Sequence, residues 1–137
     1  MNNKYKRLCI NGVYRHFKGN IEGEPALYLL SALVKPIPGN IDKCDLKELK
    51  FIREDTGELI SIYKTGENYF YEEKDMNGVY VIYTALYGNR LTYIRNIDVF
   101  LSSRDKVKHP NYDQEYRFEL VAKLNPIGGE LSDKDRR

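Results

Sequence analysis

Two runs of strand-forming residues flank a short Gly-Asn turn, and this pattern constrains the fold more than any other. The runs are "GVYVIYTAL" (78–86) and "LTYIR" (91–95), with Gly88-Asn89 between them. β-Branched and aromatic residues favour strands, and a Gly-Asn pair suits the positive φ angles of a tight hairpin. The two runs are therefore predicted to form an antiparallel hairpin within a β-rich domain.

Further strand patterns recur along the chain, separated by turn residues. The segment 12–17 ends at a Lys-Gly-Asn turn, and 26–34 is a nearly continuous apolar run that stops before two prolines. The segment 57–73 is predicted to be a hairpin that turns at 65–68, and 114–122 alternates apolar and charged residues. Short strands between closely spaced turns are typical of a small all-β barrel.

Two segments are predicted to be helical. Within residues 42–52, Leu46, Leu49 and Ile52 recur at helical spacing, which predicts a short helix. The segment 96–101 is predicted to be a helical turn with its apolar residues facing inward. Short helices that plug an end or bridge a corner are normal in small barrels.

Composition and charge narrow the class of protein. At 137 residues the chain has the length of one domain, and 22 basic against 20 acidic residues give a net charge of only +2. This balance does not supply the concentrated basic field behind strong nonspecific binding of nucleic acid. No apolar run approaches the ~18 residues of a membrane span, and the start of the chain does not resemble a secretory signal. Cys9 and Cys44 are expected to be reduced thiols in a cytoplasmic protein.

The sequence carries no recognisable catalytic, metal or phosphate-loop motif. His16 and His109 lie far apart, and neither cysteine is spaced to pair with them. The glycine-rich patterns of dinucleotide and P-loop sites are missing. Neighbouring carboxylates such as Glu54-Asp55 are interpreted as solvated loop residues. We therefore expect a non-enzymatic protein without a cofactor or a metal.

Three arginines, Arg15, Arg95 and Arg117, occur in or at the end of predicted strands, next to aromatic residues. A guanidinium held by packed neighbours can bind phosphate or carboxylate in a bidentate manner and can stack on an aromatic ring. The alternative is that these side chains lie over tyrosines and pair with nearby carboxylates. By simple alternation Arg15 shares a strand face with Val13 and Phe17. It is then buried against a carboxylate, displaced by a bulge, or part of a pocket.

Four ordered blocks resemble one family of small bacterial and phage proteins. The blocks are "YRHFKGN" (14–20), "VIYTALYG" (81–88), "YIRNIDVFL" (93–101) and "HPNYDQEYRFELV" (109–121). Together they resemble the domain of unknown function 1653, which implies a compact SH3-like β barrel and supplies no activity. Tyr93 stands where the family usually has tryptophan, and Asn96 where it usually has proline.

Relative to the family pattern, residues 35–77 are extra sequence that contains the predicted helix, the predicted hairpin and several aromatic residues. Long insertions in compact domains often serve as lids, binding loops or dimerisation arms. The predicted fold is thus mainly β: a small SH3-like β barrel with an inserted helix plus β-hairpin. One domain is predicted over residues 1–124, followed by a flexible charged tail over 125–137.

The arginine-aromatic pattern favours a non-enzymatic protein that binds an anionic, nucleotide-like small molecule. A concrete version is a phage-type sponge that sequesters a nucleotide immune signal. The candidate ligand-binding residues are Arg15, His16, Lys18, Tyr83, Asn89, Tyr93, Arg95 and Arg117.

Two other classes of function stay open at this point. A nucleic-acid-binding barrel would use the basic residues near the start of the chain and stack bases on aromatic rings. A protein-interaction or self-assembling module that inhibits a partner would use residues 35–77 as its interface, in a homo-oligomer or with another protein. No membrane partner is expected.

Overall fold

The computed structural model describes residues 4–21 and 23–123, and within these ranges eight strands form one sheet. The strands are β1 (Gly12–Ile21), β2 (Glu24–Pro36), β3 (Lys47–Arg53), β4 (Leu59–Thr65), β5 (Asn68–Tyr71), β6 (Tyr80–Ala85), β7 (Thr92–Asn96) and β8 (Phe118–Lys123). A four-residue helix, α1 (Ile97–Phe100), follows β7, and short 3₁₀ turns span Lys4–Arg7 and Lys43–Asp45. Within the same ranges, no helix has the length and apolarity needed to cross a membrane.

β2 closes a barrel because this long strand pairs with three others. The strand order is β5-β4-β3-β7-β6-β2-β1-β8. The first part of β2 pairs antiparallel with β1 and its centre with β6, while residues 34–36 pair in parallel with β5. The last pairing joins β5 back to β2, so β2, β5, β4, β3, β7 and β6 form a closed ring. The predicted small, mainly β barrel is confirmed, and β1 and β8 extend the sheet beyond it.

β6 separates two hydrophobic clusters because its side chains alternate between the two faces of the sheet. Its residues Tyr80 and Ile82 face the barrel cluster, which comprises Val34, Ile60, Ile62, Tyr71, Met76, Tyr80, Ile82 and Ile94. Its residues Val81, Tyr83 and Ala85 face the outer cluster, which comprises Tyr14, Ala26, Tyr28, Leu30, Val81, Tyr83, Ala85, Phe100, Leu101 and Phe118. The strand is therefore buried on both sides.

The helix predicted within residues 42–52 is wrong. A 3₁₀ turn at Lys43–Asp45 begins where the Asp42 carboxylate accepts a hydrogen bond from the Cys44 N–H at 2.9 Å. The chain then enters β3, which pairs antiparallel with β4 and in parallel with β7. The pairing with β4 extends from Lys47 to Ile52, whereas β7 pairs only with Ile52 and Arg53. This tertiary context outweighs the helical spacing of the apolar residues.

Residues 35–77 supply β3, β4 and β5, which are strands of the closed barrel itself. The hairpin predicted over 57–73 is confirmed as β4 and β5, with Thr65 opposite Asn68 at the turn. This segment completes the barrel wall and is not an appendage to it. Residues 125–137, predicted to be a flexible charged tail, lie outside the described residues.

β1 departs from simple alternation, and the departure follows Arg15. Its register with β2 is regular from Gly12 to Arg15 and shifts between Arg15 and Asn20. The shift against β8 at Val13 and Tyr14 instead skips Val121, a residue of β8. Arg15 is exposed, and Phe17 is buried. Of the three alternatives for Arg15, an irregularity in the strand is therefore the one found, but it follows Arg15 and separates the face of Phe17 from that of Arg15.

The predicted β6–β7 hairpin is confirmed, although its turn is longer than two residues. Positive φ angles fall at Gly88 (57°) and Arg90 (55°), so the second of them lies one residue beyond Asn89. The helical turn predicted over 96–101 is confirmed as α1. The strand predicted over 114–122 begins only at Phe118.

Candidate functional site

A cavity of about 420 Å³, here called the main cavity, opens beside the outer cluster and is lined by residues of β1, β2, β6, β7 and β8. Its walls combine aromatic rings with ionisable side chains, which is the composition expected of a small-molecule site. The aromatic lining residues include Tyr28, Tyr83, Tyr87, Tyr93 and Phe118, and the ionisable ones include His16, Lys18, Glu54 and Arg95.

The tyrosine wall of the main cavity is rigid and uncharged. The hydroxyls of Tyr28 and Tyr87 share a hydrogen bond of 2.5 Å. The Tyr83 ring stacks on Tyr93 with a centroid distance of 5.6 Å, and it meets Tyr28 edge-on. Burial raises the pKa of both Tyr28 and Tyr83, so both phenols are neutral. This wall offers flat apolar faces together with hydroxyl groups.

Arg95 brings a desolvated positive charge to the main cavity. Its side chain is 13% exposed and forms an ion pair with Glu54. Its guanidinium lies 5.8 Å from the centre of the Phe118 ring. The Glu54 N–H donates to the Ile94 carbonyl at 3.0 Å, which places Glu54 beside β7. A guanidinium has five donors, so one carboxylate partner leaves capacity for another anion.

His16 adds an imidazole that is neutral near pH 7. Burial, together with the positive charges of Lys18, Arg117 and Arg95, lowers the pKa of His16 to about 4. Its Nδ1 accepts a hydrogen bond from the Lys18 N–H at 3.2 Å, so the ring proton resides on Nε2. The imidazole meets the Phe118 ring edge-on at 5.3 Å.

The structure brings five of the eight sequence-predicted site residues to the main cavity: His16, Lys18, Tyr83, Tyr93 and Arg95. Arg117 lines a smaller cavity of about 270 Å³, here called the side cavity, which also contains Arg95. Asn89 lines a shallow depression at the β6–β7 turn, together with Tyr87 and Tyr93.

Arg15 is engaged elsewhere on the surface. Its guanidinium pairs with the Glu119 carboxylate at 3.0 Å and donates from Nε to Gln114 at 3.3 Å. Both partners of the ion pair are 46% exposed. Arg15 therefore follows the alternative in which the arginines pair with nearby carboxylates, and its partner Glu119 belongs to β8.

Sequence reasoning missed several residues of the main cavity. Tyr28 lies in the apolar run that became β2, where alternation alone does not show which face opens to a cavity. Glu54 was assigned to a solvated loop, yet it is the partner of Arg95. Glu54 directly follows β3, a strand that the sequence mispredicted as a helix, so no local signal identified it.

The comparisons with known proteins return one family. The model of a family described as a protein of unknown function (DUF1653) matches residues 56–120 and confirms the resemblance found in the sequence. The matched range differs from the predicted one: the block at 14–20 lies outside it, and residues 56–77, predicted to be extra relative to the family, lie inside it. The match includes β4 to β7 and α1, and with them Tyr83, Tyr93 and Arg95. No curated protein and no solved structure matches the chain.

Proposed function

We propose that this chain, whose residues 56–120 match the DUF1653 family model, is a non-enzymatic protein that binds a planar anionic small molecule of the nucleotide class in its main cavity. The observation that carries the proposal is the placement of the desolvated guanidinium of Arg95 beside a wall of tyrosine rings. The guanidinium would receive a phosphate or carboxylate, and the rings would receive a flat aromatic group.

The size and chemistry of the main cavity suit such a ligand. A volume of about 420 Å³ falls within the ~300–1,000 Å³ typical of small-molecule sites. Buried tyrosines contribute area at low entropic cost because each has only two side-chain torsions. The Tyr28–Tyr87 hydroxyl pair would interact with polar edges of the ligand.

Glu54 gives the free protein an internal counter-ion for Arg95. An unpaired buried guanidinium is costly, and the Glu54 carboxylate offsets that cost while the cavity is empty of ligand. Glu54 is more exposed than Arg95, at 38%, so it can be solvated when an incoming anion takes its place. The ion pair would therefore exchange one carboxylate for the anionic group of the ligand.

A protein that binds a nucleotide without chemistry would act by sequestration. In this proposal the biological role is that of a phage-type sponge that lowers the free concentration of a nucleotide signal. Stoichiometric amounts of the protein are expected to remove such a signal from solution. The nucleotide should be recovered unchanged after the protein is denatured.

The test is a calorimetric titration of nucleoside mono-, di- and cyclic nucleotides, preceded by a thermal-shift screen. Arg95→Ala should lower the affinity for any nucleotide that binds by about 10- to 100-fold, because hydrogen bonds to a charged group contribute about 1.5–3 kcal/mol. Arg95→Lys keeps the charge and should lose less. Arg15→Ala is the matched control, since it removes an exposed arginine outside the cavity. The proposal fails if no nucleotide binds, or if Arg95→Ala and Arg15→Ala have the same effect.

The nucleic-acid alternative depends on the basic start of the chain. There, Lys4 pairs with Asp98 at 2.9 Å and Arg7 lies 3.6 Å from the centre of the Tyr116 ring. Arg15 pairs with Glu119. These contacts already use part of the charge that a phosphate backbone would need. This alternative requires an affinity for nucleic acid that falls steeply as the salt concentration rises.

The proposed homo-oligomer through residues 35–77 needs a test that keeps the barrel intact, because deletion of β3 to β5 would destroy it. Leu59 is 66% exposed on β4, so a substitution there changes the surface of this segment without disturbing the barrel interior. Leu59→Glu should reduce the apparent mass in analytical ultracentrifugation if this surface is the interface. An unchanged mass would remove the segment as an interface.

A further inference from the structure

The side cavity shares a wall with the main cavity. It is lined by Glu54 and Arg95, which also line the main cavity, and by Arg117 and Asp55 among others. The Arg95–Glu54 ion pair therefore lies between the two spaces. A ligand group that displaces Glu54 from Arg95 would reach the boundary of the side cavity.

The charged residues of the side cavity are two carboxylates and two arginines, but their ion pairs are unevenly distributed. Glu54 is the partner of Arg95. Asp55 is the partner of Arg53, which donates to it from Nε at 2.8 Å and from Nη2 at 3.2 Å. Arg53 has a second partner in Asp75, at 2.9 Å, so the group of charges is neutral as a whole. Both carboxylates of the side cavity are nevertheless engaged by Arg95 and Arg53, and neither makes an ion pair with Arg117.

Arg117 forms no ion pair with any residue in the described ranges. Its Nε donates to the Ser102 hydroxyl at 3.3 Å, a long hydrogen bond to a neutral group. Burial lowers the pKa of Arg117, and the neighbouring charge of Arg95 lowers it further. Two guanidiniums near one space, one of them without a counter-ion, form an arrangement that an anion would stabilise.

The backbone around Arg117 is fixed from both sides. Its N–H donates to the Ser102 carbonyl at 2.9 Å, and its carbonyl accepts from the Phe17 N–H at 3.0 Å. These bonds tie the start of β8 to β1 and to the chain after α1. The guanidinium therefore projects from a defined position, which lowers the entropic cost of using it to bind a ligand.

We infer that the ligand carries two anionic groups, one bound at Arg95 in the main cavity and the second bound at Arg117 in the side cavity. This inference rests on the proposed function and names its ligand class more narrowly. The class is a nucleoside diphosphate or a larger nucleotide with a second phosphate, in which the aromatic base contacts the tyrosine wall. A nucleoside monophosphate would use Arg95 alone.

The experiment compares AMP with ADP, and GMP with GDP, by calorimetry on the full chain. The wild type should bind the diphosphate of at least one pair tenfold or more tightly than the monophosphate. Arg117→Ala should abolish this preference while the monophosphate affinity changes by less than twofold. Arg117→Lys should keep part of the preference, because it retains the charge but not the bidentate geometry.

Two controls separate a binding role of Arg117 from a structural one. Ser102→Ala removes the hydrogen bond to the guanidinium but leaves the charge, so it should preserve the diphosphate preference. Arg15→Ala should preserve it as well. If Arg117→Ala does not fold, as judged by circular dichroism, Arg117→Lys is compared with Ser102→Ala. A diphosphate preference that is reduced in Arg117→Lys and kept in Ser102→Ala supports the inference, and an equal preference in both variants overturns it.

The outcomes distinguish this inference from the proposed function. If nucleotides bind and depend on Arg95, but the mono- and diphosphate bind equally, only the second anionic subsite is overturned. The same holds if Arg117→Ala weakens both members of a pair to the same extent. If neither member of either pair binds to the wild type, the subsite and the proposed function are both overturned.

Discussion

The two hydrophobic clusters on either side of β6 are built from different kinds of side chain. The barrel cluster is mainly aliphatic, with Ile60, Ile62, Ile82 and Ile94 among its members. The outer cluster is dominated by rings, and the rings of Phe100 and Phe118 stack at 4.4 Å within it. One strand thus has an aliphatic core on one face and an aromatic core on the other.

The difference accounts for where the cavity lies. Branched aliphatic side chains interdigitate and leave little space, whereas tyrosines carry hydroxyls that need partners and that keep one end of the ring near polar surroundings. In the outer cluster the Tyr14 hydroxyl donates to the Arg7 carbonyl at 2.6 Å, and the Tyr28 hydroxyl meets that of Tyr87. The barrel cluster therefore stabilises the fold, and the edge of the outer cluster forms the site.

The largest expected effect is a loss of stability on substitution in the barrel cluster, which is mainly aliphatic. Ile62→Ala deletes a fully buried side chain from the barrel cluster and should lower the free energy of unfolding by about 2–5 kcal/mol. Leu59→Ala, on the same strand but 66% exposed, is the control and should cost much less. Urea denaturation measures both. Similar losses for the two variants would show that the barrel interior is not the principal core.

A second prediction concerns His16, at the aromatic side. Its pKa of about 4 lies below the ordinary 6.5, so between these values the unfolded chain binds a proton that the folded protein does not. Stability should therefore fall as the pH drops from 6.5 towards 4, by roughly 1–2 kcal/mol once partial exposure is allowed for. His16→Gln should reduce this dependence in denaturation series at pH 5.0, 6.0 and 7.0. An identical slope in wild type and variant would contradict the burial of a neutral imidazole.

The hydroxyl pair of the tyrosine wall should give a smaller effect. Tyr28→Phe removes one partner of the Tyr28–Tyr87 hydrogen bond and should cost about 1 kcal/mol of stability. Tyr87→Phe removes the other partner, and the double variant completes a thermodynamic cycle. A coupling energy of about 0.5 kcal/mol or more is expected from chemical denaturation. Additive single effects would show that the hydroxyls do not interact.

The smallest expected effect belongs to the exposed arginine. Arg15→Ala should change the free energy of unfolding by no more than about 0.5–1 kcal/mol, because its ion pair with Glu119 is solvated on both sides. Arg95→Ala should cost more, since Arg95 is largely buried and pairs with Glu54. Thermal denaturation in low and high salt should also show that only the Arg15 contribution is screened away.

The sequence predicts those parts of the fold in which one local pattern decides the structure. The alternation along β6 and the Gly88 turn are local, and both hairpins were predicted correctly. The region of Leu49 and Ile52 was mispredicted because pairing with other strands decides its structure: Leu49 lies opposite Ile62 of β4, and Ile52 also lies opposite Tyr93 of β7. No local spacing reports such a partner, and the helical pattern was therefore misleading.

The candidate site was predictable to a similar degree. The residues of β7 and β6, Arg95, Tyr93 and Tyr83, converge as the strand patterns suggested. Arg15 does not join them, because it lies opposite Glu119 of β8 and pairs with that carboxylate on the exposed surface. The irregularity of β1 between Arg15 and Asn20, which separates Arg15 from Phe17, leaves no clear sign in one sequence. Glu54 was missed because its importance comes from the folded position of Arg95 and not from its own neighbours in the chain.

The three-way pairing of β2 also has a consequence for how the chain folds. The parallel contact between residues 34–36 and β5 is one of the pairings that close the ring, and it places Val34 opposite Tyr69. Contacts between distant segments carry a loop-closure entropy that must be met before they contribute stability, so ring closure is expected late in folding. Val34, fully buried at this junction, should then influence the rate of unfolding far more than the rate of folding. The contact between β2 and β5 would then set the rate of unfolding and thus the lifetime of the folded protein.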